Sequence, residues 1–454
     1  MSSTDAGFLY LERPHALLHI GCVAVVEGEL SLEELARHVE TRLQRLRRYT
    51  QRAVPVPFSI GHPTWEDDPC FDPRAHLFRW SVPPPGGELE LREAVAQLLS
   101  QPLDRSRPLW EFHVLHGLDG GRSALFQKVH HCMIDGVSGA QLLEQLFDTE
   151  ASEFPGASLR LATAAPAVPG AVARIGRAVG DDVRRGARTA LGVFSALGRP
   201  VIVRDAARRL FDAAWSAVQL TAADVPELPW NAPIGPRRTL EFSRLPLRDM
   251  QQIRQQRGGT VNDVVLSVLS GGLQRYLRSV GVTTRGLEAV ALVPVSVRTP
   301  DEKGTLGNRI SALLVPLAVD PETEPARLRT QRALMDRLKE NAAWTGIDRL
   351  LSALDDVPAP IVAAFGSSIS LGRIANVIAT NVPGPRETRF LGPHRVESLH
   401  PIVPIIDGIG LGLAVFSYDG WLNIGLNADP DLVPDLAKLR QGIEEAFSDL
   451  VGIS

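Results

Sequence analysis

The strongest constraint on this chain is the passage from a strand-like run, Ser123-Ala124-Leu125-Phe126-Gln127-Lys128-Val129, into His130-His131-Cys132-Met133-Ile134-Asp135-Gly136. A strand sends alternate side chains to opposite faces, so adjacent histidines at its end point different ways. One can face a reaction centre while the other packs or hydrogen-bonds in the body of the domain. Asp135-Gly136 breaks the strand, and Ser138 with Gln141 opens a helix carrying Leu142, Leu143, Leu146 and Phe147 on one side. The motif therefore sits at a strand-to-helix corner.

A histidine near its ordinary pKa suits proton removal from an alcohol or amine attacking a carbonyl at neutral pH. Cys132 points away from His131 in an extended strand, which argues against a cysteine–histidine couple. Paired histidines alone also suit a metal fragment or a buried polar pair. No third ligand lies at a usual metal spacing, since His113 and His116 fall on another predicted strand, and no metal is expected. Taken with the acid, the glycine and the corner, the pair favours chemistry.

The chain of 454 residues is long for one core and comfortable for two, with 44% apolar residues and a net charge of −4. That charge gives no reason to expect a nucleic-acid partner. Cys22, Cys70 and Cys132 have neither disulfide-framework nor metal spacing, and the start Met1-Ser2-Ser3-Thr4-Asp5 lacks the basic and apolar regions of a secretion signal. A cytoplasmic location is expected. No apolar run approaches the roughly 18 residues of a membrane span, so contact with a membrane or lipid droplet would be peripheral.

Along the chain, a short helix near residues 5–12 precedes a strand ending at Val26, and Ser31 with Glu34 caps a helix with Leu35, Val39, Leu43 and Leu46 on one face. This opening reads as core scaffolding, with His19 a structural histidine. Residues 50–110 hold loop anchors around one helix, Leu91 to Leu99. A hairpin follows: Glu111 to Leu118, the turn Asp119-Gly120-Gly121, then the histidine strand. Ala164-Ala165-Pro166-Ala167-Val168-Pro169-Gly170 marks a linker. The arginine-rich stretch 172–215 reads as a membrane-surface helix or as a solvated crossover helix, and Gly176, Gly180 and Gly186 favour the latter.

In the second half, Asn262-Asp263 opens a long helix with Val264, Val265, Val268, Leu269, Leu273 and Leu277. Its bland role is capping and cross-domain hydrogen bonding, and a carboxamide there can also shape a site. Strands are expected over 289–297, 311–319 and 374–380, with Asn381-Val382-Pro383-Gly384-Pro385 as a rigid turn. A hairpin around Tyr418-Asp419-Gly420 and a closing helix over 431–450 complete the chain.

The motif His130-His131-x-x-x-Asp135-Gly136 resembles the HHxxxDG signature of the CoA-dependent acyltransferase superfamily. More specific is the ordered series Trp65, Phe71-Asp72, His76, Pro85-Gly86 and Leu103-Asp104-Arg105-Ser106-Arg107-Pro108-Leu109-Trp110-Glu111. It resembles the wax ester synthase/diacylglycerol acyltransferase family, as do Asn231-Ala232-Pro233-Ile234, Asn262-Asp263 and Asn381-Val382-Pro383-Gly384-Pro385. The resemblance runs from about residue 5 to residue 450.

The resemblance implies an α/β fold of two chloramphenicol-acetyltransferase-like domains, each a mixed sheet flanked by helices, with an active-site tunnel at their interface. The expected organisation is 1–160 for the N-terminal domain, 161–230 for linker and crossover helices, and 231–454 for the C-terminal domain. It also implies transfer of a fatty acyl group from acyl-CoA, a co-substrate with no further cofactor, to a long-chain alcohol or diacylglycerol. His131 would be the base, His130 supportive, and Asp135 would hold the turn and pair with Arg298, since an unpaired buried acid is costly. Gly136, Asn262, Asp263 and Asn381 would shape the site. Two rivals stay open: a condensing enzyme that acylates an amine or a natural-product hydroxyl from a carrier protein, and a non-catalytic lipid-binding protein.

Overall fold

The computed structural model describes residues 1–43, 46–57, 61–134, 143, 145–154, 225–296, 310–340 and 371–452. Asp135, Gly136 and Arg298, the helix expected after the corner up to residue 142, and the stretch 172–215 lie outside the described residues.

The first helix, α1 (Ser3–Leu11), begins where Ser2 accepts the Asp5 amide. Strand β1 (His19–Val26) follows, then α2 (Leu32–Leu43), opened by a reciprocal cap in which Ser31 Oγ accepts the Glu34 amide and Glu34 accepts the Ser31 amide, both at 3.1 Å. Strands β2 (Gln51–Val54) and β3 (Thr64–Asp67) form a small ribbon. Next come β4 (Leu77–Ser81), α3 (Glu88–Leu99), β5 (Trp110–His116) and β6 (Ser123–His130), with β5 and β6 paired antiparallel.

In the second half, β7 (Thr239–Pro246), α4 (Leu247–Arg257), α5 (Val261–Ser279), β8 (Ala289–Ser296), β9 (Ile310–Leu317) and α6 (Glu324–Glu340) precede β10 (Val377–Val382). Strands β11 (Phe390–Leu391), β12 (His394–Ile402), β13 (Leu411–Tyr418) and β14 (Trp421–Ala428) lead to the closing helix α7 (Leu436–Gly452).

Among the described residues these strands make two six-stranded mixed sheets, ordered β11-β12-β1-β6-β5-β4 and β7-β14-β13-β10-β8-β9. The first sheet is covered on both faces, which is why β6 is buried at every position instead of alternating. Ala24, Val26, Phe112, Val114, Leu125 and Val129 pack with Leu35, Ala36 and Val39 of α2 on one face. Val23, Val25, Ala124 and Phe126 pack with Leu91, Val95 and Leu98 of α3 on the other. The second sheet packs against α5, α6 and α7 in the largest apolar cluster.

Strands β11 and β12, from the stretch 231–454 that sequence assigns to the second domain, join the first sheet. β12 pairs antiparallel with β1, Val23 opposite His400, and so covers an edge that β1 would otherwise leave open. On its other side β12 crosses β14 so closely that a Cβ at Gly425 would stand 1.7 Å from the Pro401 carbonyl oxygen. Only glycine permits that approach, and it holds the two sheets together beside the site.

Among the boundaries that differ from the sequence expectation, two bear on the second sheet and its cover. β10 runs on to Val382 because Asn381 and Val382 continue its parallel pairing with Val415 and Phe416 of β13, so Asn381 belongs to a strand and not to the turn. The closing helix begins at Leu436, after a turn in which Asp429 accepts the Asp431 amide. Among the described residues, no helix is long and apolar enough to cross a membrane.

Candidate active site

Where β6 ends, its backbone is gripped from both sides. The His130 amide donates to Leu109 O at 2.9 Å and the His131 amide to Leu18 O at 2.8 Å, while the Met133 amide closes a turn on His130 O at 2.9 Å. Neighbouring groups fix the ladder further upstream. The buried ammonium of Lys128 donates to Leu98 O at 3.0 Å and Gln101 O at 2.7 Å, at the carboxyl end of α3, and pairs with Glu111 at 3.3 Å. Trp110, fully buried, donates its indole N–H to Tyr49 O at 2.9 Å and stacks on His76 with ring centroids 4.4 Å apart.

The two histidines part company at the corner. His130 turns into the protein and hydrogen-bonds Glu12 through Nε2 at 2.7 Å. His131, 8% exposed, lines a cavity of about 440 Å³ and stacks on Phe8 with centroids 4.0 Å apart and ring planes 12° from parallel. Cys132 enters the apolar cluster under α2, where burial pushes its thiol well above the ordinary range, so it offers no thiolate nucleophile. Burial likewise pushes Cys22, on the cavity wall, up to about 12, so it behaves as a small apolar group there.

The cavity lies between the two sheets and falls within the size range of small-molecule sites, roughly 300–1,000 Å³. Ile20, Gly21 and Cys22 of β1 and Val129 of β6 face Ala379 to Val382 of β10 and Ala414 to Phe416 of β13 across it. Val265, Leu266 and Leu269 of α5, with Met335 of α6, form an aliphatic wall. Beside His131, the polar groups on the lining include Gln127, Asn262, Thr380 and Asn381. Such a surface accepts a long alkyl chain and offers few places to bind a charged one.

Of the residues singled out by sequence, His131, Asn262 and Asn381 meet at this cavity. Asn381 Nδ2 donates to Asn262 Oδ1 at 3.0 Å. Asp263 is not on the lining. It is buried and closes a capping box at the start of α5, taking the Thr260 amide at 2.7 Å and the Thr260 hydroxyl at 2.8 Å. His19 is buried 4.0 Å from Glu12, in the body of the fold.

Glu12 and Phe8 were not legible as site residues. Glu12 is the C-cap of α1 and sits 118 residues from His130. It also accepts from Arg105 at 2.7 Å and from the Leu18 amide at 3.2 Å. Burial alone would raise its carboxyl, but the hydrogen bonds from His130 and Arg105 outweigh this and hold it well below the usual carboxylate range. The one signal available was the spacing of Phe8 and Glu12 on α1, and it names no partner.

The same architecture occurs in solved acyl-transferring and condensing enzymes. The chain superposes on the wax ester synthase/diacylglycerol acyltransferase from Marinobacter aquaeolei VT8 with a TM-score of 0.68 at 21% identity, covering 98% of this chain and 97% of that one. It also superposes on the first condensation domain of the calcium-dependent antibiotic synthetase with a TM-score of 0.61 at 17% identity, covering 99% and 95%. These likenesses define the fold class, the mixed α/β architecture shared with condensation domains.

Family models assign residues 1–265 to the wax ester synthase/diacylglycerol acyltransferase catalytic domain and 306–451 to the C-terminal domain of the same family. The chain is 34% identical over 463 residues to the probable diacylglycerol O-acyltransferase tgs1 of Mycobacterium tuberculosis, covering 100% of this chain and 96% of that protein. It therefore belongs to the wax ester synthase/diacylglycerol acyltransferase family, and it is an acyltransferase enzyme.

Proposed function

We propose that this enzyme transfers a fatty acyl group from acyl-CoA to the hydroxyl of a long-chain alcohol or a diacylglycerol, with His131 as general base and no acyl-enzyme. The observation that carries the reading is the position of His131, an imidazole on the wall of a largely apolar cavity between the two sheets. The acceptor oxygen attacks the thioester carbonyl as His131 removes its proton. The tetrahedral adduct then expels the CoA thiolate, which takes the proton back from the imidazolium. Ester and CoA leave, and His131 is neutral again.

His130 is excluded from that role because both its ring nitrogens are engaged, Nε2 by Glu12 and Nδ1 by the Cys132 amide at 3.1 Å. The aliphatic wall of Val265, Leu266, Leu269 and Met335 suits an alkyl chain. The names of the relatives favour glycerolipid or alcohol acceptors over the amine acceptors of condensing enzymes. Asp135 and Arg298 complete the proposal as holders of the turn, and Gly136 allows close approach there. Acceptors this insoluble would be drawn from a membrane or lipid-droplet surface, reached peripherally from the cytoplasm.

The test is product formation from palmitoyl-CoA with hexadecanol and, separately, with dipalmitoylglycerol, read by mass spectrometry beside His131→Ala. Ester from the native protein and none from the variant is the expected result, and the ratio of the two products assigns the acceptor. No ester from either acceptor, with acyl-CoA still bound, would favour the lipid-binding reading.

A further inference from the structure

We infer that the face of α1 carrying Phe8 and Glu12 is the positioning element of the histidine corner: Glu12 locks His130 as a fixed strut, and Phe8 sets the ring of His131 and favours its protonated form. This rests on the reading of His131 as the base. Phe8 and Glu12 are four residues apart, one above the other on the helix, and the Glu12 amide donates to Phe8 O at 3.2 Å. Of the nine residues of α1, only Asp5 and Ala6 are buried, so this contact is not the by-product of a deeply packed helix.

The hydrogen bonds of His130 fix its tautomer. A backbone amide can only donate, so His130 Nδ1, which receives the Cys132 N–H at 3.1 Å, carries no proton. Its proton is on Nε2 and is donated to Glu12 at 2.7 Å. Glu12 is itself held by Arg105 at 2.7 Å and by the Leu18 amide at 3.2 Å. The chain Arg105–Glu12–His130–Cys132 thus pins the backbone immediately after His131, while Leu18 O pins it at the His131 amide.

Phe8 acts on the ring. A stack 12° from parallel fixes the plane of the imidazole. The face of a phenyl ring is electron-rich, so it attracts the imidazolium formed on proton transfer more than the neutral base. The contact therefore strengthens as the reaction proceeds. The titratable and charged groups set around this corner among the described residues include Lys128 on β6, His130 and Cys132 on the corner, Asp5 on α1 and Glu12 at its C-cap, His19 and Cys22 on β1, and Arg48 and Arg105 on the flanking segments. A change at Phe8 leaves all of them in place.

The experiment uses the full chain with ¹³C-labelled histidine, assigning the His131 signal by its loss in His131→Ala. Its pH titration is compared in wild type, Phe8→Leu and Phe8→Tyr, alongside kcat and KM for transfer from palmitoyl-CoA to hexadecanol. Phe8→Leu should lower the His131 pKa by about half a unit and kcat roughly tenfold, with KM little changed, and Phe8→Tyr should restore both. Glu12→Ala should lower kcat and release the fixed His130 tautomer, and Glu12→Gln, which keeps an acceptor, should recover most of it. A His131 titration and kcat indifferent to Phe8→Leu in folded protein would overturn the inference while leaving the base assignment intact. Unchanged transfer by His131→Ala would sink the base assignment, and the titration would still report on the stack. Should Phe8→Leu fail to fold, Phe8→Met takes its place, and failure of both makes Phe8 a structural residue and overturns the inference.

Discussion

Asn381 donates from Nδ2 to Asn262 Oδ1 at 3.0 Å, joining the end of β10 to the first turn of α5 on the cavity wall. The bond ties a strand of the second sheet to the helix that supplies the aliphatic lining. The bond is open to solvent, so water re-pairs a freed carboxamide and only the tie itself is lost: Asn262→Ala and Asn381→Ala should each lower kcat/KM by about threefold. Because they share one bond, the double variant should be about as impaired as either single one. Steady-state kinetics of the four proteins measures the coupling, and multiplicative losses would show that the residues act separately.

Loss of the base should be far costlier. His131→Ala should reduce kcat by around a thousandfold, within the range for a general base, while acyl-CoA binding persists. Binding measured by calorimetry and turnover measured by CoA release separate the two.

Direct attack by the acceptor makes a further prediction. With palmitoyl-CoA and no alcohol, there should be no burst of CoA equal to the enzyme concentration and no acylated protein in the intact mass spectrum. Cys132 and Cys22 should stay unmodified, since burial holds both thiols protonated. A stoichiometric burst would replace the single-step mechanism with a two-step one.

Acid should destabilise the fold through its buried neutral histidines. Burial, aided by the charges of Arg244 and Arg92, brings His400 down from the usual 6.5 to about 3. The unfolded chain takes up that proton below pH 6.5 and the native chain does not, so stability is full above about 6.5. It falls by about 1.4 kcal/mol per pH unit as pH drops towards 3. Urea midpoints at pH 7.5 and pH 5.0 should show that His400→Gln loses ~2 kcal/mol less than wild type over this interval. His19, His38 and His76 are lowered by burial in the same direction, and they are common to both proteins. Equal losses would rule His400 out.

Trp110 supports the corner from the adjacent strand, since the Leu109 carbonyl beside it receives the His130 amide. Trp110→Phe empties part of a fully buried site and leaves Tyr49 O without its 2.9 Å donor, a cost of about 2 kcal/mol. Urea unfolding measures it, and kcat per folded molecule should change little. A large fall in kcat at unchanged stability would instead place Trp110 in the chemistry.

Much of this was written in local sequence. Ser31 and Glu34 announce α2, Thr260 precedes a helix start that Asp263 closes, and Asp419-Gly420, both at positive φ, turn the last hairpin. These signals act over a few residues, where period, capping chemistry and turn preference are set by the residues themselves. The alternation that parts His130 from His131 is of the same kind, and the corner was legible for that reason.

Tertiary structure alone decided the rest. Nothing local says that β12 should pair with β1 some 377 residues away, Val23 against His400. That choice depends on which edge is left open and on Gly425 admitting the Pro401 carbonyl. Nothing local turns Glu12, on a helix that reads as scaffolding, towards His130. A carboxylate's partner is fixed by which donors burial leaves beside it, and the cavity is bounded by residues from both sheets that meet only once the chain has folded.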